Sequence, residues 1–238
     1  MNGLTLKDIK NPNTLNIFTD ASIHKIGKDR NGKYEYVGCY GAVAVIGGTI
    51  IDSSYKLTAN TTNNNSEIKA LREGVSLAIT HKDKAPIINI FSDSQISVFG
   101  VRDRLLNWRF QGGNFIGSTG QVIANQEIFM EIVRLILAHN IRINFLHQAG
   151  HVVPTSSSLQ SAMHVFRTSN GIRGVVDMNI IRYISEYNNL VDRVSRSIVS
   201  AAKKCRINDG IQFIPGVDFD RNRYKLLTQN TLKFGKLS

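Results

Sequence analysis

The chain has 238 residues, of which 42% are hydrophobic, and a formal net charge of +11. This length allows one sizeable core with a smaller appendage, because domains usually hold about 100–200 residues. No apolar run approaches the ~20 residues of a membrane span, and residues 1–8 lack the pattern of a secretory signal, so we expect no membrane partner and a cytoplasmic location. Two cysteines are too few for a disulfide framework or a structural zinc cluster.

The first part of the chain predicts an antiparallel meander. Its three strands are expected at residues 14–20, 40–46 and 49–57. Gly47 and Gly48 would form the hairpin turn between the last two strands. A helix is predicted over 67–80, where apolar residues recur every three or four positions, and Ser66 is a plausible N-cap for it.

The middle of the chain alternates helical patterns with two more strands. Short apolar runs at 87–92 and 141–146 are typical of buried strands. Helical patterns occupy 95–107 and 126–139, on either side of a glycine-rich stretch. The order of these elements predicts an α/β fold with a five-stranded mixed sheet flanked by helices.

The last part of the chain predicts a final helix at about 189–204. Segment 152–187 has no place in the pattern, so we treat it as an insert that precedes this helix. The expected organisation is one domain over residues 1–204 and a basic C-terminal extension over 205–238. From residue 193 to the end, ten Lys or Arg face three Asp. This surplus suits a polyanionic substrate or a replication-protein partner, although a basic surface also serves solubility.

Four acidic residues mark the candidate site: Asp20, Glu67, Asp93 and Asp192. Asp20 and Asp93 follow predicted strands, and Asp192 is expected near the positive N-terminal end of the last helix, where the dipole favours an ionised carboxylate. Carboxylates so far apart in sequence suggest a site assembled by folding. Mg²⁺ takes oxygen ligands, and two such ions can clamp a phosphodiester. The structural alternative is that an acid such as Asp20 only starts a turn.

Several linked segments carry a family resemblance. They are Phe18-Thr19-Asp20, Cys39-Tyr40-Gly41-Ala42, Thr61-Thr62-Asn63-Asn64 before Glu67, Ser92-Asp93-Ser94-Gln95, Asn107-Trp108 and Val191-Asp192. In this order, on matching strands and helices, they resemble the type 1 ribonuclease H family over residues 14–151 and 188–203. The resemblance implies a monomeric endonuclease that hydrolyses the RNA strand of RNA–DNA hybrids. The four acids would hold two Mg²⁺ ions, with Mn²⁺ as a substitute, and the products would carry 5′-phosphate and 3′-hydroxyl ends.

The resemblance also implies residues that bind the substrate. Asn63, Asn64 and Gln95 would lie in the minor groove, where amides can hydrogen-bond 2′-hydroxyls and so distinguish RNA from DNA. The alternative is that the Asn-rich stretch is only a loop with a helix cap.

Three further substrate-binding residues follow from the same resemblance. Thr62 and Asn125 resemble a pocket for a phosphate of the DNA strand, in which Asn60 stands where a basic residue is sometimes found. Trp108 lies where an aromatic side chain packs against DNA sugars. A lone Trp on a helix is also often part of the core.

The loop after the fifth strand contains two histidines, His147 and His151. The family has one His in this loop, and the Gly150-His151 pair favours His151 as the residue that assists proton transfer. A loop His with a pKa near neutrality suits this role. Neither His is in strict register with the family, and either could be an ordinary surface residue.

Two other interpretations stay open at the level of sequence. A resolvase, an integrase or a structured-RNA nuclease would keep the fold and use the insert at 152–187 for specificity. A non-catalytic nucleic-acid-binding module would lack at least one of the four carboxylates, and none is missing.

Overall fold

The structure is a computed structural model that describes residues 9–28, 30–59, 61–153 and 155–209, with side chains described as far as residue 203. The predicted basic extension therefore falls almost wholly outside the described residues, as does Asn60. Within the described residues, no helix is long and apolar enough to cross a membrane.

The described residues form seven strands: β1 Thr14–Lys28, β2 Tyr34–Ile46, β3 Thr49–Ala59, β4 Ile87–Ser92, β5 Arg109–Gln111, β6 Asn114–Ile116 and β7 Asn144–His147. Five of them form one mixed sheet in the order β3-β2-β1-β4-β7. The strands β1, β4 and β7 are parallel, whereas β2 is antiparallel to both of its neighbours. The predicted five-stranded mixed sheet is confirmed.

Five α-helices accompany the sheet: α1 Asn63–Thr80, α2 Gln95–Phe99, α3 Gln126–His139, α4 Ser156–Ser169 and α5 Met178–Asp209. They cover both faces of the sheet, because neighbouring residues of a strand point to opposite sides. Ile17 belongs to the apolar cluster that contains α1 and α3, whereas Phe18 belongs to the cluster that contains α4 and α5. Phe18 stacks on Phe91 with the ring centroids 4.9 Å apart.

The register of the parallel strands brings two of the predicted acids to one edge. Thr19 on β1 pairs with Ser92 on β4, and Ser92 pairs with His147 on β7. Asp20 and Asp93 are the next residues after the first pair. Both acids therefore lie side by side where the parallel pairing of β1 and β4 ends, although β1 itself continues beyond Asp20 in its pairing with β2. This is the carboxyl end of the parallel strands, where α/β sheets usually form their sites.

The first two strands are longer than the sequence predicted. The polar stretch between them, expected to be a loop, continues β1 to Lys28 and begins β2 at Tyr34. Pairing in this hairpin runs from the acid end of β1 out to Lys28 opposite Tyr34. These residues have no alternating apolar pattern because most of the hairpin end is exposed or only half-buried, so periodicity could not reveal it.

The segment after Asp93 is also more broken than predicted. The α-helix ends at Phe99, and the chain continues as a π-helix over Gly100–Arg104 and a 3₁₀ turn over Leu105–Asn107. Gly100 lies against the Phe129 ring so closely that a Cβ atom would collide with it. The unpredicted strands β5 and β6 then form a small hairpin, in which the turn glycines have positive φ angles.

Two helix starts differ from the predictions. Thr62, and not Ser66, is the N-cap of α1, since its side chain accepts a hydrogen bond from the Asn65 backbone N–H at 3.2 Å. The last helix begins at Met178, within the segment treated as an insert, and runs continuously through the predicted helix 189–204. Asp192 is thus about four turns inside α5, too far from its N-terminus for the dipole to matter, and that part of the expectation was wrong.

The insert contributes α4 and the first turns of α5. Its helix α4 is joined to β7 by Asn170, whose Nδ2 donates to the His147 carbonyl at 2.7 Å. Arg102 also binds this junction, donating to the Ser169 carbonyl at 2.8 Å and to Asn170 Oδ1 at 2.9 Å. The insert therefore packs as part of the same folded unit and contacts the strand that precedes the candidate site.

Candidate active site

Three of the four predicted acids form one cluster. Asp20, Glu67 and Asp93 each offer a carboxylate oxygen, and these oxygens lie within 4.8 Å of one another. Asp20 ends the regular pairing between β1 and β4, Asp93 follows β4, and Glu67 lies one turn into α1. Helix α1 packs across β1 through Gly74, where a Cβ would meet Thr19 Cγ2 at 2.6 Å. That close packing brings Glu67 over the strand ends.

Burial makes this cluster electrostatically costly. Burial and the neighbouring Asp93 raise the pKa of Asp20 to about 8. Burial and the charge of Asp20 likewise raise the pKa of Glu67 well above its usual range. Asp20 Oδ2 and Glu67 Oε2 are buried and have no hydrogen-bond partner among the described residues. Buried carboxylate oxygens without donors need a cation or a proton.

Asp192 faces this cluster from α5. Its negative charge raises the pKa values of Asp20, Glu67 and Asp93, which places it within electrostatic range of all three. Arg196, one helical turn later, brings its Nε to 2.7 Å from Asp192 Oδ1. The sequence analysis did not single out Arg196, although its spacing of four residues from Asp192 on a predicted helix was a usable signal.

Asp93 is oriented by neighbours that the sequence analysis missed. Asn188 on α5 forms a side-chain hydrogen bond with the Asp93 carboxylate, which lowers its pKa against the larger effect of burial. Gln148 Nε2 in turn donates to Asn188 Oδ1 at 2.6 Å. Gly150 lies directly against Asp93 Oδ2, and a Cβ there would collide with that oxygen.

The two candidate histidines have different surroundings. His147 is buried, with Nδ1 3.0 Å from Ser169 Oγ and Nε2 3.2 Å from the Asp93 backbone carbonyl. Burial lowers the pKa of His147, which favours its neutral form. His147 therefore packs at the end of the strand, and its ring has no open path to the acid cluster.

His151 is the exposed histidine of the loop. Its side chain is 65% exposed, and its Nδ1 lies 3.5 Å from Asp192 Oδ2. Arg196 Nη2 lies 3.2 Å from the same nitrogen. The backbone of His151 has a φ angle of 52°, a conformation that is uncommon for a residue with a side chain. The loop thus holds His151 beside the fourth acid while one face of its ring remains open to solvent.

The two residues predicted to bind a phosphate of the DNA strand come from two elements. Asn125, the residue before α3, has a φ angle of 57° and accepts a hydrogen bond of 2.8 Å from Asn65 Nδ2. The backbone of Asn65 is in turn bound by the Thr62 hydroxyl. Thr62 and Asn125 are therefore joined through Asn65, which the sequence analysis did not name.

The predicted minor-groove residues lie at two adjacent helix starts. Asn63 and Asn64 are exposed in the first turn of α1, one turn before Glu67. Gln95 is exposed in the first turn of α2, directly after Ser94, whose side chain caps that helix. All three amides border the acid cluster and are available to a ligand.

Trp108 is half-buried. Its ring meets Phe129 edge-on, with the centroids 5.2 Å apart, and lies 6.3 Å from Phe115 of the small hairpin. It packs at the margin of the core between α3 and that hairpin. The contact with Phe129 agrees with the core interpretation made from the sequence, and the contact of Trp108 with DNA sugars stays a prediction.

The donor set suits a hard divalent cation. Asp20, Glu67 and Asp93 supply only oxygen atoms, and burial has already removed the water that would otherwise stabilise their charges. Asp192 is close enough to add a fourth carboxylate charge. Within the described part of the chain, Asp20 Oδ1 accepts a hydrogen bond from the Ala21 backbone N–H at 2.7 Å and Oδ2 has no partner, so Oδ2 is left for an ion.

Comparisons with known proteins agree with this arrangement. The RNase H family profile matches residues 12–154, which is more than half of the chain. Ribonuclease HI of Pasteurella multocida (strain Pm70) is 29% identical over 103 residues, which are 43% of this chain and 61% of that protein. Ribonuclease H of Thermoanaerobacter sp. (strain X514) is 29% identical over 114 residues, which are 48% of this chain and 68% of that protein.

A solved structure has a similar fold. The foamy viral protease-reverse transcriptase, determined in complex with an RNA/DNA hybrid, aligns with a TM-score of 0.50 and 15% identity. The alignment covers 71% of this chain and 21% of the viral chain. The family match over residues 12–154 contains Asp20, Glu67 and Asp93, the three acids that the fold brings together. The chain belongs to the ribonuclease H family.

Proposed function

We propose that this protein is a metal-dependent endonuclease that hydrolyses the RNA strand of RNA–DNA hybrids. The observation that carries the proposal is the buried cluster of Asp20, Glu67 and Asp93, with two carboxylate oxygens that lack donors among the described residues. The foamy viral protein of similar fold was solved with an RNA/DNA hybrid, so the hybrid is the first substrate to test. Hydrolysis would leave 5′-phosphate and 3′-hydroxyl ends.

Asp20, Glu67, Asp93 and Asp192 would hold two Mg²⁺ ions, with Mn²⁺ as a substitute. When bound, such ions supply Lewis-acid chemistry, lowering the pKa of the attacking water and stabilising charge on the leaving oxygen. The protein's part is to bring the carboxylates together and orient them, because burial and their mutual repulsion leave them in need of a cation. Asn188 and Gly150 fix the Asp93 carboxylate, and Arg196 fixes Asp192.

His151 would move a proton at the edge of the site. Its Nδ1 faces Asp192 and Arg196, so the rest of the exposed imidazole is directed towards solvent. A histidine in this position can deliver a proton to the leaving 3′ oxygen and recover one from water. His147 has no such access, because its ring nitrogens contact Ser169 and the Asp93 carbonyl.

Substrate recognition would use the polar helix starts around the acids. Asn63, Asn64 and Gln95 are exposed amides that can both donate to and accept from 2′-hydroxyls. On the other strand, Thr62 and Asn125 would bind a phosphate of the DNA, and the open face of Trp108 would pack against its sugars. The two strands would thus be distinguished by chemistry and not by base sequence.

The deciding experiment is cleavage of an end-labelled RNA–DNA hybrid by the purified full chain in Mg²⁺, beside duplex RNA, duplex DNA and single strands. We expect cleavage of the hybrid's RNA strand alone. Asp93→Asn should reduce the rate below about a hundredth while hybrid binding persists. Asp83→Asn, at an exposed acid beyond the far end of α1, is the matched control. Unchanged turnover in Asp93→Asn would reject the proposed site, and a preference for duplex RNA would favour a structured-RNA nuclease.

A further inference from the structure

A cavity lies beside the acid cluster, between the long β1–β2 hairpin and the start of α1. Its volume is about 520 Å³, and its lining residues are Ile23, Lys33, Tyr34, Glu35, Tyr36, Thr61, Thr62 and Asn63. This volume is within the range of small-molecule sites, roughly 300–1,000 Å³. Two tyrosine rings, a lysine and the hydroxyl of a helix cap therefore share one opening.

The hairpin reaches this position because Gly38 has no side chain. A Cβ atom at Gly38 would lie 2.7 Å from Thr61 Cγ2 and 3.0 Å from Ser66 Oγ. The strand β2 can therefore lie directly against the first turn of α1. Beyond this contact the two strands continue outwards, with Lys25 paired opposite Tyr36 and Lys28 opposite Tyr34.

The outer end of the hairpin is a basic, aromatic surface. Lys25 Nζ lies 2.9 Å from the centroid of the Tyr34 ring, and Lys28 Nζ lies 4.9 Å from it. Tyr34 remains 44% exposed, so its ring keeps area available for a further stacking partner. Cation–π contacts hold both ammonium groups near one ring, which reduces the entropy lost when they bind an anion.

The cavity is continuous with the proposed substrate surface. Thr62, which would contact a DNA phosphate, lines the cavity, and Asn63 next to it would face the minor groove. Glu67 lies one helical turn further along α1. The strand β1 runs eight residues beyond Asp20 to Lys28, which is roughly 25 Å at the rise of an extended strand. The hairpin thus extends well beyond the acid cluster, from the side of the site that Thr62 and Asn63 form.

We propose that this hairpin surface, formed by Lys25, Lys28, Tyr34 and Tyr36 with the adjoining cavity, binds the DNA strand of the hybrid. The nucleotides concerned are those next to the phosphate at Thr62. The lysines neutralise phosphates and the tyrosine rings stack on bases or sugars. The inference rests on the proposed function, because it gives the DNA strand of the same substrate a second contact surface on the protein.

Chemistry favours nucleic acid as the occupant. Proteins that follow a nucleic-acid strand combine basic side chains with exposed aromatic rings on which bases stack. The sequence from 24 to 35 holds four Lys or Arg against two acids, a modest surplus that solubility alone would also explain. Solubility does not explain why Lys25 and Lys28 both lie against the half-exposed Tyr34 ring. Nor does it explain why that ring borders the cavity that Thr62 also lines.

The test compares two double variants that remove equal charge. Lys25→Ala/Lys28→Ala alters the hairpin, whereas Lys82→Ala/Lys84→Ala alters two exposed lysines beyond the other end of α1, about 27 Å away along an 18-residue helix. Both are made in the Asp93→Asn background, and hybrid affinity is measured over a range of salt concentrations. The slope of log affinity against log salt should become shallower by ~1.8 for the hairpin variant, at ~0.9 per lost phosphate contact.

The control variant should leave the salt slope close to that of its parent. In the active protein, the hairpin variant should raise KM for the hybrid more than it lowers kcat. Equal slopes for the two double variants would overturn the inference. The proposed function would survive that result as long as the unaltered protein still cleaves hybrids, so the two failures can be told apart.

A second pair of variants tests the aromatic contact. Tyr34→Ala should weaken hybrid binding roughly tenfold, since stacking of one base is lost, whereas Tyr34→Phe keeps the ring and should bind as the parent does. Equal affinity of both variants would contradict the stacking contact. Hybrids with the DNA strand shortened, or the RNA strand shortened instead, identify the bound strand. The effect of the lysine variant should disappear only with shortened DNA, and its disappearance with shortened RNA would overturn the strand assignment.

Discussion

Gln148 Nε2 donates a hydrogen bond of 2.6 Å to Asn188 Oδ1, which joins the loop after β7 to the long helix α5. Both side chains are buried. The amide nitrogen of Asn188 is thereby turned towards Asp93, whose carboxylate it hydrogen-bonds. The same helix carries Asp192 one turn later. One pair of amides therefore sets the orientation of one acid and the position of the helix that carries another.

Asn188→Ala should lower Mg²⁺ affinity and hybrid cleavage by about 10- to 100-fold, the usual loss when a residue that orients a metal ligand is removed. The change leaves all four carboxylates in place, so excess Mg²⁺ should restore part of the rate. Asn179→Ala, at an exposed position on the same helix, is the control and should have no effect. Mg²⁺ titrations followed by cleavage rate and by calorimetry provide the measurement, and identical Mg²⁺ affinity in Asn188→Ala would contradict the orienting role.

The metal-free protein should lose stability as the pH rises from about 4 to about 8. Burial, with the charge of Asp93, raises the pKa of Asp20 to about 8, whereas an unfolded Asp titrates at about 4. Over this interval the folded state binds more protons than the unfolded state, so the free energy of unfolding falls with pH. Melting temperatures in EDTA at several pH values measure it, and Asp93→Asn should give a flatter profile. If the melting temperature instead rose with pH to the same extent in the unaltered protein and in Asp93→Asn, the result would contradict repulsion within the acid cluster.

Mg²⁺ should reverse this loss at pH 8. An ion that binds only the folded state stabilises it by mass action, and the carboxylates it binds are then ionised without mutual repulsion. We expect the melting temperature at pH 8 to rise with Mg²⁺ concentration, by an amount that shrinks at pH 5, where protons compete for the carboxylates. Asp93→Asn should lose most of the rise. If the melting temperature of Asp93→Asn rose by the same amount, the stabilising Mg²⁺ would have to bind outside the acid cluster.

Substituting the two histidines should have different effects, one on turnover and the other on stability. His151→Ala should reduce turnover by on the order of 10²-fold, the low end for loss of a general acid or base, and should leave the melting temperature unchanged because the side chain is exposed. His147→Ala should cost roughly 1–3 kcal/mol of stability by leaving buried partners without a hydrogen bond. His139→Ala, exposed at the end of α3, is the control. A fall in turnover at an unchanged melting temperature in His151→Ala but not in His139→Ala would support His151 as the proton carrier, and unchanged turnover in His151→Ala would reject it.

Asn64→Ala should weaken productive hybrid binding by a polar contact of roughly 1 kcal/mol while sparing the acid cluster. The exposed amide lies one turn before Glu67 and makes no described contact that the fold requires. Cleavage is compared on a full hybrid and on one whose RNA strand lacks 2′-hydroxyls at the nucleotides flanking the cut. The penalty should disappear on the second substrate, because the missing contact is then absent for both proteins. A penalty of equal size on both substrates would indicate altered metal geometry.

Much of the fold and three of the acids could be predicted from local pattern. The predicted strand 14–20 ends at Asp20, and the apolar run 87–92 leads directly to Asp93, so both acids were expected at the ends of strands. Their parallel pairing is seen only in the structure. The helical period after Glu67 likewise predicted how α1 would lie on the sheet. These inferences succeed because hydrophobic periodicity reports which face of an element is buried, and burial is the main constraint on its placement.

Tertiary structure decided what periodicity does not encode. The outer β1–β2 hairpin is largely exposed or half-buried, so backbone pairing and not an apolar pattern defines it. The choice between His147 and His151 depends on whether each ring meets Ser169 or Asp192, contacts between residues remote in sequence. Asn188 was an ordinary polar residue in the sequence, and only the docking of α5 brings it to Asp93. Side-chain direction and long-range contact are properties of packing, which the sequence determines only through the whole fold.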